Sequence, residues 1–231
     1  MFRALLLLAS TSLTIVAQSP GTLVTGQLIS DARGRQALEV RNSSTFPVTS
    51  ILYARTLRTD KGVVSKVSTY FDSPTANFPG IPPSSSKVLV LAGATHTLVD
   101  AWSMAGLLQD GTAFGDPLLI RLMLRYRIAT LSVLNERIDI VDGAVRANSS
   151  PASVANSREQ AMLSSKQSRP TSSIDSEEFA VRHYQKSFSE SLDQMITRRL
   201  RASPSPQGEL GRVSETLHSQ RDKISAIVPR Q

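Results

Sequence analysis

Residues 107–117 read LLQDGTAFGDP, and this stretch decides where a β half ends and an α half begins. Asp110 and Gly111 stand between apolar runs and both tolerate positive φ. The pair therefore predicts a tight hairpin turn, with Thr112 to Phe114 as a short return strand. Asp116 then suits a helix N-cap, its carboxylate accepting otherwise orphaned backbone N–H groups, and Pro117 presets φ at the first helical position. The capping box is incomplete, because the third residue after Asp116 is Leu119. A calcium loop is the competing reading. It needs oxygen ligands at positions one, three and five and glycine at six. Counted from Asp110, these positions hold Asp110, Thr112, Phe114 and Gly115, and phenylalanine has no oxygen to offer. The stretch is read as a turn and a helix start.

Upstream, from about Leu23 to Phe114, branched and aromatic segments alternate with turn residues. TLVTGQLIS, QALEVRNSS, VTSILYARTL, VVSKVSTYFD, SKVLVLAG and THTLVDAWSMAGLLQ are separated by Gly34, Pro47, Lys61-Gly62, Pro74 and the run Pro79-Gly80-Ile81-Pro82-Pro83. Six or seven short strands at this spacing predict a β-sandwich with one face of each strand buried. In Ala37-Leu38-Glu39-Val40-Arg41 the alternation puts Leu38 and Val40 on the core face and Glu39 and Arg41 on the other. Trp102, the single tryptophan, is expected to plug the core or the space between sheets.

Downstream, LLIRLMLRYRIATLSVLNERIDIV predicts an amphipathic helix over 117–141. Arg121, Arg125, Ser132, Asn135, Glu136 and Asp139 gather on one side; Leu119, Leu122, Met123, Leu131, Val133 and Leu134 occupy the other. Arg127 and Arg137 interrupt the apolar face. This helix is expected to dock on the sandwich or on a second subunit. Residues 143–174 lack aromatics and are crowded with serine, which predicts a flexible linker. A second helix is expected from Asp175, whose capping box closes at Glu178 and whose hydrophobic staple joins Ile174 to Phe179. Its apolar stripe runs through Tyr184, Phe188, Leu192, Met195 and Ile196. Arg198, Arg199 and Arg201 complement the negative end of its dipole. After SPSPQG, the residues Leu210, Val213, Leu217, Ile224 and Ile227 recur at three-and-four spacing, with Gln220 on the missing beat. Short helices are marginal alone. The two are therefore expected to pair as a hairpin, dock on the sandwich or self-associate.

The N-terminus, MFRALLLLASTSLTIVAQSP, has the layout of a secretory signal peptide: Arg3, an apolar run from Ala4 to Val16, and small residues Ala17 and Ser19. That run is shorter than the roughly 20 residues of a membrane span. Cleavage is placed after Ala17, which sets the divisions 1–17 signal, 18–142 sandwich with its docked helix, 143–174 linker and 175–231 two-helix region. The chain has no cysteine. Small secreted eukaryotic domains usually rely on disulfides, so an exported cysteine-free chain points to a bacterial periplasmic or extracellular setting. Thiol catalysis, cysteinyl zinc sites, iron–sulfur clusters and cysteine-linked lipid anchors are excluded. Sequons at Asn42 and Asn148 are read as loop residues. The net charge of +7 lies mainly in the tail, and nucleic acid is an unexpected partner for an exported chain.

The three histidines, His96, His183 and His218, have no second histidine at metal-ligand spacing. No nucleophile elbow, phosphate loop or dinucleotide fingerprint occurs. Asp72, Asp100 and Asp110 lie singly near turns. Catalytic, cofactor-binding and metal residues are therefore expected to be none, and no cofactor is implied.

The run ALEVRNSSTFPVTSILYA, then VVSKVSTYF, then IPPSSSKVLVL resembles the small immunoglobulin-like sandwich domains of exported bacterial proteins, including the FxLYD-type group, although the Phe-x-Leu-Tyr-Asp motif itself is absent. In that group a strand ending in Val-x-Asn precedes a variable loop, and a proline–polar step precedes a late strand. The resemblance covers about residues 23–115 and implies a binding or scaffold module without catalytic residues. The sequence reading is thus a mainly β protein with α: an immunoglobulin-like β-sandwich, an amphipathic helix, a flexible linker and a C-terminal helical hairpin. Its expected role is non-catalytic, as a protein-binding or structural module of the cell envelope, through an unidentified protein partner or self-association of the C-terminal helices. The alternatives are an envelope hydrolase with a carboxylate site, and a peripheral membrane-surface binder acting through basic amphipathic helices.

Overall fold

A computed structural model describes residues 24–30, 36–59, 64–73, 78–90, 97–167, 177–203 and 206–226. The signal segment 1–17, His96, the Asp175 cap with Ile174, and Ile227 lie outside them. Among the described residues seven strands precede four helices: β1 (Val24–Ser30), β2 (Gln36–Asn42), β3 (Val48–Thr59), β4 (Val64–Asp72), β5 (Ser85–Val90), β6 (Thr97–Leu108), β7 (Ala113–Gly115), α1 (Pro117–Arg146), α2 (Pro151–Gln167), α3 (Glu177–Ala202) and α4 (Pro206–Ser225). The chain divides into two compact units, Met1–Ile120 and Arg121–Gln231. Helical residues outnumber strand residues, so the protein is mixed α and β rather than mainly β.

The first unit contains two antiparallel sheets, ordered β1-β2-β5 and β4-β3-β6-β7. One apolar cluster draws on both, with Leu38, Val40 and Leu89 from the first sheet and Ile51, Tyr53, Met104 and Phe114 from the second. The expected alternation in β2 holds: Leu38 and Val40 are buried, Glu39 is half-buried and Arg41 is exposed. Trp102 packs against the same cluster. Its ring lies so close to Gly26 of β1 that a Cβ there would approach it to 2.9 Å. Ring contacts run from Tyr53 to Phe71 and from Phe71 to Phe78, with Arg55 over Tyr53 and Lys87 over Phe78.

Val48 links the two sheets along the chain. Its N–H donates to the Ile81 carbonyl and its carbonyl accepts from Ile81, just before β5, while β3 goes on to pair with β4 and β6. Asn42, the last residue of β2, is wholly buried. Its side-chain amide donates to the carbonyls of Phe46, Ile81 and Pro82, and its oxygen accepts from the backbone and hydroxyl of Ser44. Asn42 is therefore a structural hub, not the loop residue the sequon suggested.

The opening stretch folds as a hairpin and a cap, with one correction. Gly111 has φ 88° and donates to the Leu108 carbonyl, while Leu108 donates to Thr112. Only Gly111 takes the left-handed conformation. The loop is thus a three-residue turn with a glycine bulge rather than a two-residue turn with both central residues at positive φ. Asp110 accepts from the Thr112 N–H at 3.0 Å and from its hydroxyl at 2.9 Å. Asp116 caps α1 by accepting from Leu118 at 2.8 Å and Leu119 at 3.4 Å. Gly115 has φ 92°, and a Cβ there would overlap the Met104 carbonyl.

Helix α1 has the expected polarity, and its apolar side packs with the other helices. Val133, Leu134, Ile138 and Val141 enter one core with Val154 and Ala155 of α2, Leu192, Ile196 and Leu200 of α3, and Leu210, Val213, Leu217 and Ile224 of α4. From Arg121 onward the helix belongs to the second compact unit. The linker expected over 143–174 is also corrected: Pro151–Gln167 is helical. Helix α1 ends in a Schellman motif, with Asn148 at φ 49°, Ser149 donating to Ala144 and Asn148 to Val145. Ser150 then caps α2, accepting from Ser153 at 3.2 Å. The small polar composition concealed α2 because its seam is narrow. Val154 and Ala155 suffice where α3 supplies the larger apolar side chains.

Candidate interaction surface

Three polar groupings and one groove mark the second unit. The first is buried. Arg137 of α1 donates to both carboxylate oxygens of Asp193 on α3, at 2.8 and 2.9 Å, and to the Ser189 hydroxyl at 2.6 Å. Arg158 of α2 lies 4.0 Å from the same carboxylate. Burial pulls the Arg137 guanidinium down, but the hydrogen bond and charge of Asp193 outweigh it, so the group stays above its ordinary value. An arginine that seemed to interrupt the apolar face of α1 is thus matched by an aspartate on the apolar side of α3. Sequence reading could not pair them, because 56 residues separate the partners.

The second grouping contains aspartate, serine and histidine. Asp142 of α1 accepts from the Ser214 hydroxyl at 2.5 Å through one oxygen and contacts His218 Nε2 at 3.0 Å through the other. Ser214 and His218 are one turn apart on α4, so both reach one carboxylate. A nucleophilic triad needs the imidazole between serine and acid, where it can take the hydroxyl proton. Here the acid occupies the middle, and serine gives its hydrogen to the carboxylate. The arrangement clasps α1 to α4. The Ser214 hydroxyl holds the Asp142 carboxyl below its ordinary value, partial burial opposes this, and His218 and Arg146 assist.

The third is Glu177 at the start of α3, which accepts from Arg121 and Arg125 of α1, each at 3.0 Å. Arg125, then Arg121, hold its carboxyl below the usual range against the effect of burial. Beside it, the Tyr126 and Tyr184 rings stack at 4.5 Å and Thr130 shares a hydrogen bond with the Tyr184 hydroxyl.

Asp100's side chain lies outside the described ones, and among those described the acids singled out near turns are not brought together. Asp110 and Asp116 serve the hairpin and the cap, and buried Asp72 accepts from the Ser50 hydroxyl at 2.6 Å. Among the described residues, no group of three or more histidine or acidic side chains is placed to hold a metal ion. His183 is exposed on α3 and contacts the Phe179 ring. No helix among the described residues is long and apolar enough to cross a membrane. The heptad residues Leu210, Val213, Leu217 and Ile224 are all buried inside the unit, so they form its core seam.

An open groove of about 500 Å³ lies between α2 and α3, lined by Glu159 and Met162 on one side and Gln194, Thr197, Arg198, Arg201 and Ala202 on the other. Arg201 is held by Glu159 and Asn156. Arg198 is exposed and forms no ion pair among the described residues. Thr197 is only 7% exposed, and its buried hydroxyl has no hydrogen-bond partner among the described residues. Leu163, next to Met162, is 58% exposed. The RRLR sequence read as dipole complement thus places two of its arginines on a groove. Comparisons with protein-family models, curated proteins and solved structures find no match to this chain.

Proposed function

We propose that this chain is an exported, non-catalytic protein of the bacterial cell envelope that works by binding another protein. In this reading its first unit is an immunoglobulin-like β-sandwich module and its helical unit presents the contact surface. The shared apolar cluster of the two sheets and the ring of Trp102 against Gly26 support the sandwich. One observation carries the binding role. The acids, serine and histidine that approach one another in the helical unit are spent on joining helices, whereas Arg198 on the groove between α2 and α3 forms no ion pair among the described residues and Leu163 of α2 is exposed. Large exposed apolar groups beside polar rims are a recurrent mark of protein contact sites.

The test is crosslinking of the tagged full chain in its native envelope. Recovery of one protein in near-equal amount, at crosslinks that map to the helical unit, is the expected result. Recovery of the chain alone, or measurable hydrolysis of ester, glycoside or peptide substrates by the purified protein, overturns the proposal.

A further inference from the structure

We infer that the groove between α2 and α3 takes a carboxylate-bearing peptide segment of the partner protein; this rests on the binding role proposed above. Three features define the ligand. Arg198 offers a guanidinium that forms no ion pair among the described residues, and its planar fork matches a carboxylate. Arg201 is already neutralised by Glu159 on the opposite wall. The groove therefore has one surplus positive charge and one fixed negative charge. A singly charged carboxylate satisfies that balance, while a doubly charged phosphate would meet Glu159 repulsively. Next, the buried Thr197 hydroxyl and Gln194 add polar hydrogen-bonding groups to the lining. An unsatisfied buried hydroxyl destabilises the fold, and a polar ligand atom would offset that cost. Finally, Met162 and Ala202 supply an apolar wall, and methionine adapts to varied side chains. The groove is open to solvent, which suits a peptide segment better than an enclosed small molecule. An acidic residue flanked by an aliphatic one is the matching segment.

The test uses the full chain and fluorescent peptides, capped at both ends, with the core Ser-Ser-Glu-Leu-Ser, the same peptide with glutamine in place of the glutamate, and vesicles of phosphatidylglycerol in phosphatidylcholine. The glutamate peptide should bind and the glutamine peptide should not. Arg198→Gln should weaken binding about tenfold, the worth of one charge-assisted hydrogen bond. Arg198→Lys should retain part of it. Thr197→Val should weaken binding while leaving the thermal midpoint unchanged or higher, because it removes an unpartnered buried hydroxyl. Equal binding of both peptides, no loss on Arg198→Gln, or binding to vesicles without binding to peptide would each overturn the inference. If the peptides fail while envelope crosslinking still recovers a partner, the groove assignment falls and the wider binding role stands. If crosslinking fails as well, both fall.

Discussion

Asn42 shows how much one side chain holds. Its amide closes the ends of β2, the Phe46 loop and the Ile81–Pro82 approach to β5. Asn42→Ala should strip those carbonyls of their donor inside the core and destabilise the first unit by about 2–3 kcal/mol, read as a lowered urea midpoint. Arg137 and Asp193 are a stronger case. Both are nearly buried, at 6% and 3% exposure. Asp193→Ala removes the buried bidentate partner of Arg137 and leaves only the exposed Glu136 as countercharge, which should cost about 3–5 kcal/mol, whereas the double change Arg137→Met with Asp193→Leu should cost much less. If the double variant is as unstable as the single one, the pair is not the source. The Asp142 clasp makes a pH prediction. A carboxyl depressed in the folded state contributes stability above its ordinary value of about 3.9 and loses it as pH falls through the lower, folded value. Acid should therefore weaken the helical unit in that window, and Ser214→Ala should flatten the loss in urea titrations from pH 6 downward. The partial exposure of Asp142 keeps the effect small.

At the scale of elements, helix ends and seams carry the specificity. Asp116→Ala removes the α1 cap and should cost about 1 kcal/mol of stability. Leu217 is fully buried in the α4 seam. Leu217→Ala should cost about 2–5 kcal/mol through lost burial and the cavity left behind. Helix α2 is instructive because composition argued against it. Serine caps and small residues look like a linker, yet Ala155 is fully buried. A small side chain contributes little apolar area but lets neighbouring helices approach, and no local pattern signals that.

At the scale of the molecule there are two apolar clusters, one for the sheets and one for the helices. Trp102 belongs to the first and is the only tryptophan, so its fluorescence reports that cluster. Leu217→Ala should lower the far-ultraviolet helical transition and leave the Trp102 transition in place. Val40→Ala should do the reverse. A single shared shift in both signals would show that the clusters unfold as one.

Strand alternation, the Asp116–Pro117 cap and the apolar faces of α1, α3 and α4 were legible in the residues, because each depends on neighbours within a turn or a few pleats. Their partners were not. Which helix covers α1, which carboxylate meets Arg137, and that Ser214 and His218 converge on Asp142 depend on contacts across 52 to 76 residues. The α2–α3 groove exists only once two helices lie side by side. Burial and charge pairing are properties of surfaces brought together, and those surfaces are assembled from distant parts of the chain.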